Sequence, residues 1–206
     1  MGLLSSTTSA TRYRVEGHLE KPIIDNIENG LKRFSITDID GQPSDETIGW
    51  TSLQNPFEPD FEGSSFLIGT HVVFSMRVDK KAIPPKLLQK HFAGESAKRM
   101  KALERDFLSK DEKDALKDQI VQQLNQKIPA TPNVYDVVWQ YEDGVVCFFS
   151  NLKSANEHLE TLFYKTFGLH LIRMIPYTMA QSNPSLTDQQ RDALEKMAYA
   201  EDEARR

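Results

Sequence analysis

Apolar and polar positions alternate along Thr11-Arg12-Tyr13-Arg14-Val15-Glu16-Gly17, the period of a short strand. Pro22 then suits a first helical turn, and Ile23, Ile24, Ile27, Leu31 and Phe34 follow at spacings that make one apolar helix face. From Thr37 to Ser64 the chain is rich in Asp, Pro, Gly and Ser and reads as a long surface connection, with Trp50 and Phe57 as packing anchors. Ser65 to Val78 is β-like, either one long strand or a hairpin turned near Gly69. Pro84-Pro85 opens a helix carrying Leu87, Leu88, Phe92, Met100, Leu103 and Phe107, with Gly94 a candidate kink. Ser109 and Glu112 have the spacing of a capping box, and Leu116, Ile120, Leu124 and Ile128 recur every four residues behind it. Residues 87–128 therefore predict a helical hairpin or one interrupted arm.

Pro129 and Pro132 close that arm. A hairpin follows, Val134 to Tyr141 and Val145 to Phe149, turned at Glu142-Asp143-Gly144. Ser154 and Glu157 suggest a second capping box, Ala155, Leu159, Leu162 and Phe163 a buried helix face, and Gly168 its stop. Leu169 to Tyr177 reads as a returning strand, and residues 181–206 as a polar tail, helical from Thr187. The predicted class is α+β: antiparallel sheets with covering helices and a projecting helical arm. Its parts are a β-α-β region over 1–80, a basic arm over 81–130, a ββαβ unit over 131–180 and the tail over 181–206.

Charge adds something the pattern does not. The 206-residue chain has net charge −5, yet residues 71–130 hold 13 Lys and Arg against 8 Asp and Glu. An acidic chain with a basic middle can meet a polyanion through one face, because phosphate attraction depends on local charge. Lys86, Lys90, Lys98, Arg99, Lys101 and Arg105 fall on the first helix of the arm, Lys110, Lys113 and Lys117 on the second, and Lys127 at its far end. Glu104, Asp106, Asp111, Glu112, Asp114 and Asp118 dilute that field. No apolar run approaches the ~18 residues of a membrane span, and the N-terminus lacks a signal-peptide pattern, so the expected setting is cytoplasmic with no membrane partner.

Catalytic chemistry has one candidate. Pro59-Asp60, then a β run, then Asp79-Lys80-Lys81 resembles the carboxylates and lysine with which some nucleases hold Mg²⁺ and polarise a phosphate. Both short motifs are common, and a turn acid with a strand-end charge pair explains them as well. The five histidines make no His-x-x-x-His pair, there is no glycine-rich phosphate loop, and Cys147 in its apolar run reads as buried core. No cofactor is expected.

The same residues carry a likeness. Gly49-Trp50, the strand Val72–Val78, Lys80-Lys81-Ala82-Ile83-Pro84, the stretch Leu108 to Ile120 and the position of Trp139 resemble the bacterial recombination-associated protein RdgC family in order and spacing, over roughly residues 49–177. A family Leu-Pro-Arg-Ala-Phe run appears here as Asn125-Gln126-Lys127-Ile128-Pro129, which keeps a positive charge and loses the aromatic ring. The resemblance implies non-sequence-specific binding of duplex DNA, a homodimer closed around it, and a nucleoid setting in recombination or replication. Two alternatives stand beside it: a Mg-dependent nuclease using Asp60, Asp79 and Lys81, and a protein–protein module.

Overall fold

The computed structural model describes residues 2–63, 65–175, 178–179 and 186–193. Its elements run β1 (Thr11–Glu16), α1 (Ile23–Arg33), β2 (Glu46–Thr51), β3 (Leu67–Ile68), β4 (His71–Lys80), α2 (Pro85–Ala102), α3 (Lys110–Asn125), β5 (Thr131–Gln140), β6 (Val145–Phe148), α4 (Lys153–Phe167) and β7 (His170–Arg173). The sheet order is β2-β4-β5-β6-β1-β7, with β3 paired to β4. The class is α+β, as the alternation of strand and helix periods predicts.

The chain forms two compact units. The first comprises Met1–Phe34, Trp50–Met76 and Tyr135–Arg206, and the second Ser35–Gly49 and Arg77–Val134. In the first, β1 lies antiparallel between β6 and β7, with Tyr13 opposite Val146 on one side and Arg173 on the other. Helices α1 and α4 pack together, and α4 also packs on β7. An aromatic cluster fills the space beneath them. Phe167 lies 5.1 Å from Trp139, 4.8 Å from Phe163 and 6.4 Å from Trp50, all ring centroid to centroid. Such edge and offset contacts add roughly 0.5–1.5 kcal/mol per pair to the burial of the rings. Gly30 on α1 permits this approach, since a Cβ there would stand 2.8 Å from the Phe167 ring.

The second unit is built on a helical hairpin. Leu116, Ile120 and Leu124 of α3, with Leu108 before it, form a buried row against Ile83, Leu87, Leu88, Phe92, Met100 and Ile128. The Ser109 hydroxyl accepts from the Glu112 amide and the Glu112 carboxylate accepts from the Ser109 amide, so the predicted capping box is present.

Several local expectations change. Residues 46–51, read as connection, form β2, because only Ile48 and Trp50 mark the strand and Gly49 breaks its pattern. That glycine is required: a Cβ would meet the Ile36 backbone at 2.5 Å. Trp50 is a buried anchor, but Phe57 is exposed, and Phe61 takes the second buried place. Strands β3 and β4 turn at Gly69, whose φ of 62° needs the left-handed region. Helix α2 runs through Gly94 and stops at Ala102, leaving Leu103 and Phe107 outside it and exposed. Strand β5 begins at Thr131 and takes in Pro132, near the strand start where the missing N–H is tolerated.

Helix α4 begins at Lys153, one residue before Ser154, so the second capping box does not form. Ser150 accepts from the Leu152 amide instead, and Asn156 donates to the carbonyls of Ser150 and Leu152. Gly168 ends α4 at φ 68°, as its position predicts. Strand β7 ends at Arg173, and Cys147 is half-buried where a buried core position is predicted. In the tail, 188–193 are helical behind a Thr187–Gln190 cap, and most of the remainder lies outside the described residues.

Candidate nucleic-acid interface

Helix α2 owes its start to Pro85 in its first turn and its end to a C-terminal closure of unusual composition. The Arg105 amide donates to the Met100 carbonyl at 3.0 Å, and the Glu104 amide to the Lys101 carbonyl at 3.4 Å. This is a Schellman motif, with Glu104 at φ 52° where glycine normally sits.

Every basic residue singled out for the arm is exposed: Lys86, Lys90, Lys98, Arg99, Lys101, Arg105, Lys110, Lys113, Lys117 and Lys127. Two of them hold acids. Lys98 pairs with Glu95 at 2.7 Å and Arg105 with Glu112 at 3.7 Å. The Lys98 hydrogen bond lowers the Glu95 pKa, and the Ser109 amide and hydroxyl lower that of Glu112. Among the described residues the others form no ion pair, so their charge is available to an incoming anion.

Helical phase sorts these charges into rows. Successive residues of an α-helix turn by about 100°. On α3 the apolar pair Leu116 and Ile120 is one residue out of step with Lys113 and Lys117, and those are one residue out of step with Asp114 and Asp118. Apolar, lysine and aspartate rows therefore follow one another around the helix. On α2, Lys86, Lys90 and Lys101 share a row turned from the apolar residues, with no acid of α2 in it. Two concave surfaces border the hairpin. One of about 260 Å³ is lined by Glu95, Lys98, Arg99, Gln119 and Gln123 among others. The other, of about 240 Å³, lies between Pro85, Leu88, Gln89, Phe92 and Lys117.

The nuclease candidates are placed otherwise. Asp79 is buried and accepts from both the Nε and an Nη of Arg77. Lys81 is buried too, and its ammonium donates to the carbonyls of Ile39, Gln42 and Asn125 at 2.7, 2.7 and 2.6 Å. Three donors meeting three acceptors leave no hydrogen on Lys81 for a phosphate. Asp60 is exposed in the other unit, where it caps the Glu62 amide. Among the described residues no group of three or more His, Cys, Asp or Glu is arranged to hold a metal ion, and no helix is long and apolar enough to cross a membrane.

Comparison with known families decides the relationship. The family model described as "Putative exonuclease, RdgC" matches residues 8–188 of the 206-residue chain. The chain belongs to the RdgC family. That match extends beyond the region 49–177 in which the sequence resemblance lay, taking in β1 and α1. A search of curated proteins returned no match.

The sequence missed the two apolar side chains at the tip of the hairpin. It placed Leu103 and Phe107 on α2, whereas both follow its end and Phe107 is 73% exposed. The run Glu104-Arg105-Asp106 between them was the available signal, since such a run ends an amphipathic stripe.

Proposed function

We propose that the protein binds duplex DNA without reading its sequence, through the exposed basic rows of α2 and α3, as an accessory to recombination or replication in the nucleoid. The observation that carries this is the set of arm cations without an acid partner among the described residues, in a chain that is acidic overall. Lysine rows without base-reading partners track phosphates and fix position rather than sequence. Membership of the RdgC family supports the same reading. We take the working form to be a homodimer around the duplex.

A second reading comes from the family description, which names an exonuclease. On this chain it would need Asp79 and Lys81 to leave the buried contacts described above, each of which is costly to break.

The test is a salt series with duplex and single-stranded DNA, with and without Mg²⁺. Binding without sequence preference should weaken with log salt at a slope of about 0.9 per phosphate neutralised. A Lys110/Lys113/Lys117→Ala triple variant should lose affinity and slope, while a Lys153/Lys165→Ala double variant on α4 should keep both. Failure of the wild type to bind at low salt would remove the proposal, and Mg²⁺-dependent digestion by the purified chain would replace it with the second reading.

A further inference from the structure

Two glutamines of α3 stand on the flank of that helix that the lysines leave free. Gln119 and Gln123 each precede a residue of the buried row, Ile120 and Leu124, and successive residues turn by about 100°. The carboxamides therefore border the row on one side and Lys113 and Lys117 on the other. With Glu95, Lys98 and Arg99 of α2 they line one cleft of about 260 Å³. Gln119, Gln123 and Arg99 are exposed, and among the described residues their side chains form no hydrogen bond or ion pair.

The charge of the cleft selects its occupant. Lys98 holds Glu95 at 2.7 Å and is the main cause of its lowered pKa, with Arg99 a lesser one. Glu112, on the same flank of α3 seven residues before Gln119, is engaged by the Ser109 amide and by Arg105. Two cations against one acid leave the cleft with one positive charge. A phosphodiester carries one negative charge, has oxygens that accept and nothing that donates. A guanidinium fork matches its oxygens, and Arg and Gln are both among the side chains that contact backbone phosphates. We propose that Arg99, Gln119 and Gln123 seat one phosphodiester of the bound duplex in this cleft and so fix where the arm rests on the backbone. This rests on the DNA-binding reading above. It adds a contact made partly by uncharged donors, which the lysine rows do not predict.

The experiment uses the full chain, with duplexes of two unrelated sequences and anisotropy over a salt series. Gln119→Ala with Gln123→Ala should lose about tenfold in affinity for both sequences and keep the salt slope, because neutral donors release no counterion. Gln119→Glu with Gln123→Glu, which keeps the side-chain shape, should lose more. Arg99→Ala should flatten the slope by about one unit, and Arg99→Lys should keep the slope yet lose affinity with the fork. Glutamine variants that bind as wild type overturn the seat and leave the DNA-binding reading standing. Wild type that does not bind duplex overturns both. A sequence preference of wild type that the glutamine variants lose makes the amides readers of bases, and this too overturns the seat. Saturable shifts of the glutamine amide signals with inorganic phosphate alone, and none with duplex, assign the cleft to a free phosphate and overturn it as well.

Discussion

The ammonium of Lys81 donates to the main-chain oxygen of Asn125 at 2.6 Å, joining the end of β4 to the last turn of α3 inside the second unit. Asn125 continues the tie by donating its side-chain amide to the Pro43 carbonyl at 3.2 Å. Together with the carbonyls of Ile39 and Gln42, these contacts make a buried lysine the point where three segments meet. Lys81→Met keeps the length of the side chain but removes its donation to three buried carbonyls, of which that of Ile39 keeps the Gln42 amide. It should lower unfolding stability by about 3 kcal/mol in urea titration. Asp79→Asn should also destabilise, by weakening the pair with Arg77, so neither variant is a clean probe of catalysis. A K81M protein as stable as wild type but altered in DNA cleavage would show that the lysine serves chemistry instead.

Glu104 carries the left-handed backbone of the Schellman motif without being glycine. An L-residue there costs about 1–2 kcal/mol, and glycine gives back part of that through its greater freedom in the unfolded chain. Glu104→Gly should therefore raise stability by about 0.5–1 kcal/mol, seen as a higher urea midpoint with unchanged slope. Glu104→Ala serves as the comparison and should show no such gain.

The hydroxyl of Tyr13 lies 2.5 Å from the side-chain oxygen of Asn156 and 3.1 Å from a carboxylate oxygen of Glu160, which share its single hydrogen. Burial raises its pKa, the charge of Glu160 raises it further, and Arg173 opposes the rise. The folded state thus holds this proton more tightly than the unfolded state. Stability from that preference is complete below the ordinary tyrosine pKa of about 10 and falls as pH rises through and beyond it. Thermal midpoints should decline from about pH 10 upward. Tyr13→Phe should flatten that decline while lowering stability at neutral pH, through the lost bonds to Asn156 and Glu160.

Much of this fold was legible from periodicity. The α3 row at Leu116, Ile120 and Leu124 and the Ser109 cap need only local spacing, and both are present. The errors fall where tertiary contacts override local pattern. Gly49 reads as a loop residue by composition, yet it lies in β2, and it is glycine there because the Ile36 backbone passes where a Cβ would be. Asp79 and Lys81 sit two apart in a charged strand end, a pattern shared by a metal site and a buried structural tie. Only the positions of Arg77, Ile39, Gln42 and Asn125 distinguish the two. For the basic arm, the exposure of the residues singled out was readable in the sequence, but the order of rows around α3 required the helix boundaries.

That order makes the last prediction. Lys86, Lys90 and Lys101 share a row on α2 with no acid in it, whereas Lys113 and Lys117 run beside Asp114 and Asp118. A phosphate approaching the α3 row meets the neighbouring carboxylates within a Debye length, about 8 Å at physiological salt, and its attraction is partly cancelled. Removing the α2 lysines should therefore weaken duplex binding more than removing an equal number from α3. In practice, Lys86/Lys90/Lys101→Ala should flatten the salt slope by up to about three units, and Lys110/Lys113/Lys117→Ala by less. Asp114→Asn with Asp118→Asn should strengthen binding at low salt and leave it nearly unchanged at high salt, where the carboxylates are screened. Equal losses from the two triple variants, with no gain from the aspartate changes, would mean that the rows do not act separately and that only the summed charge of the arm matters.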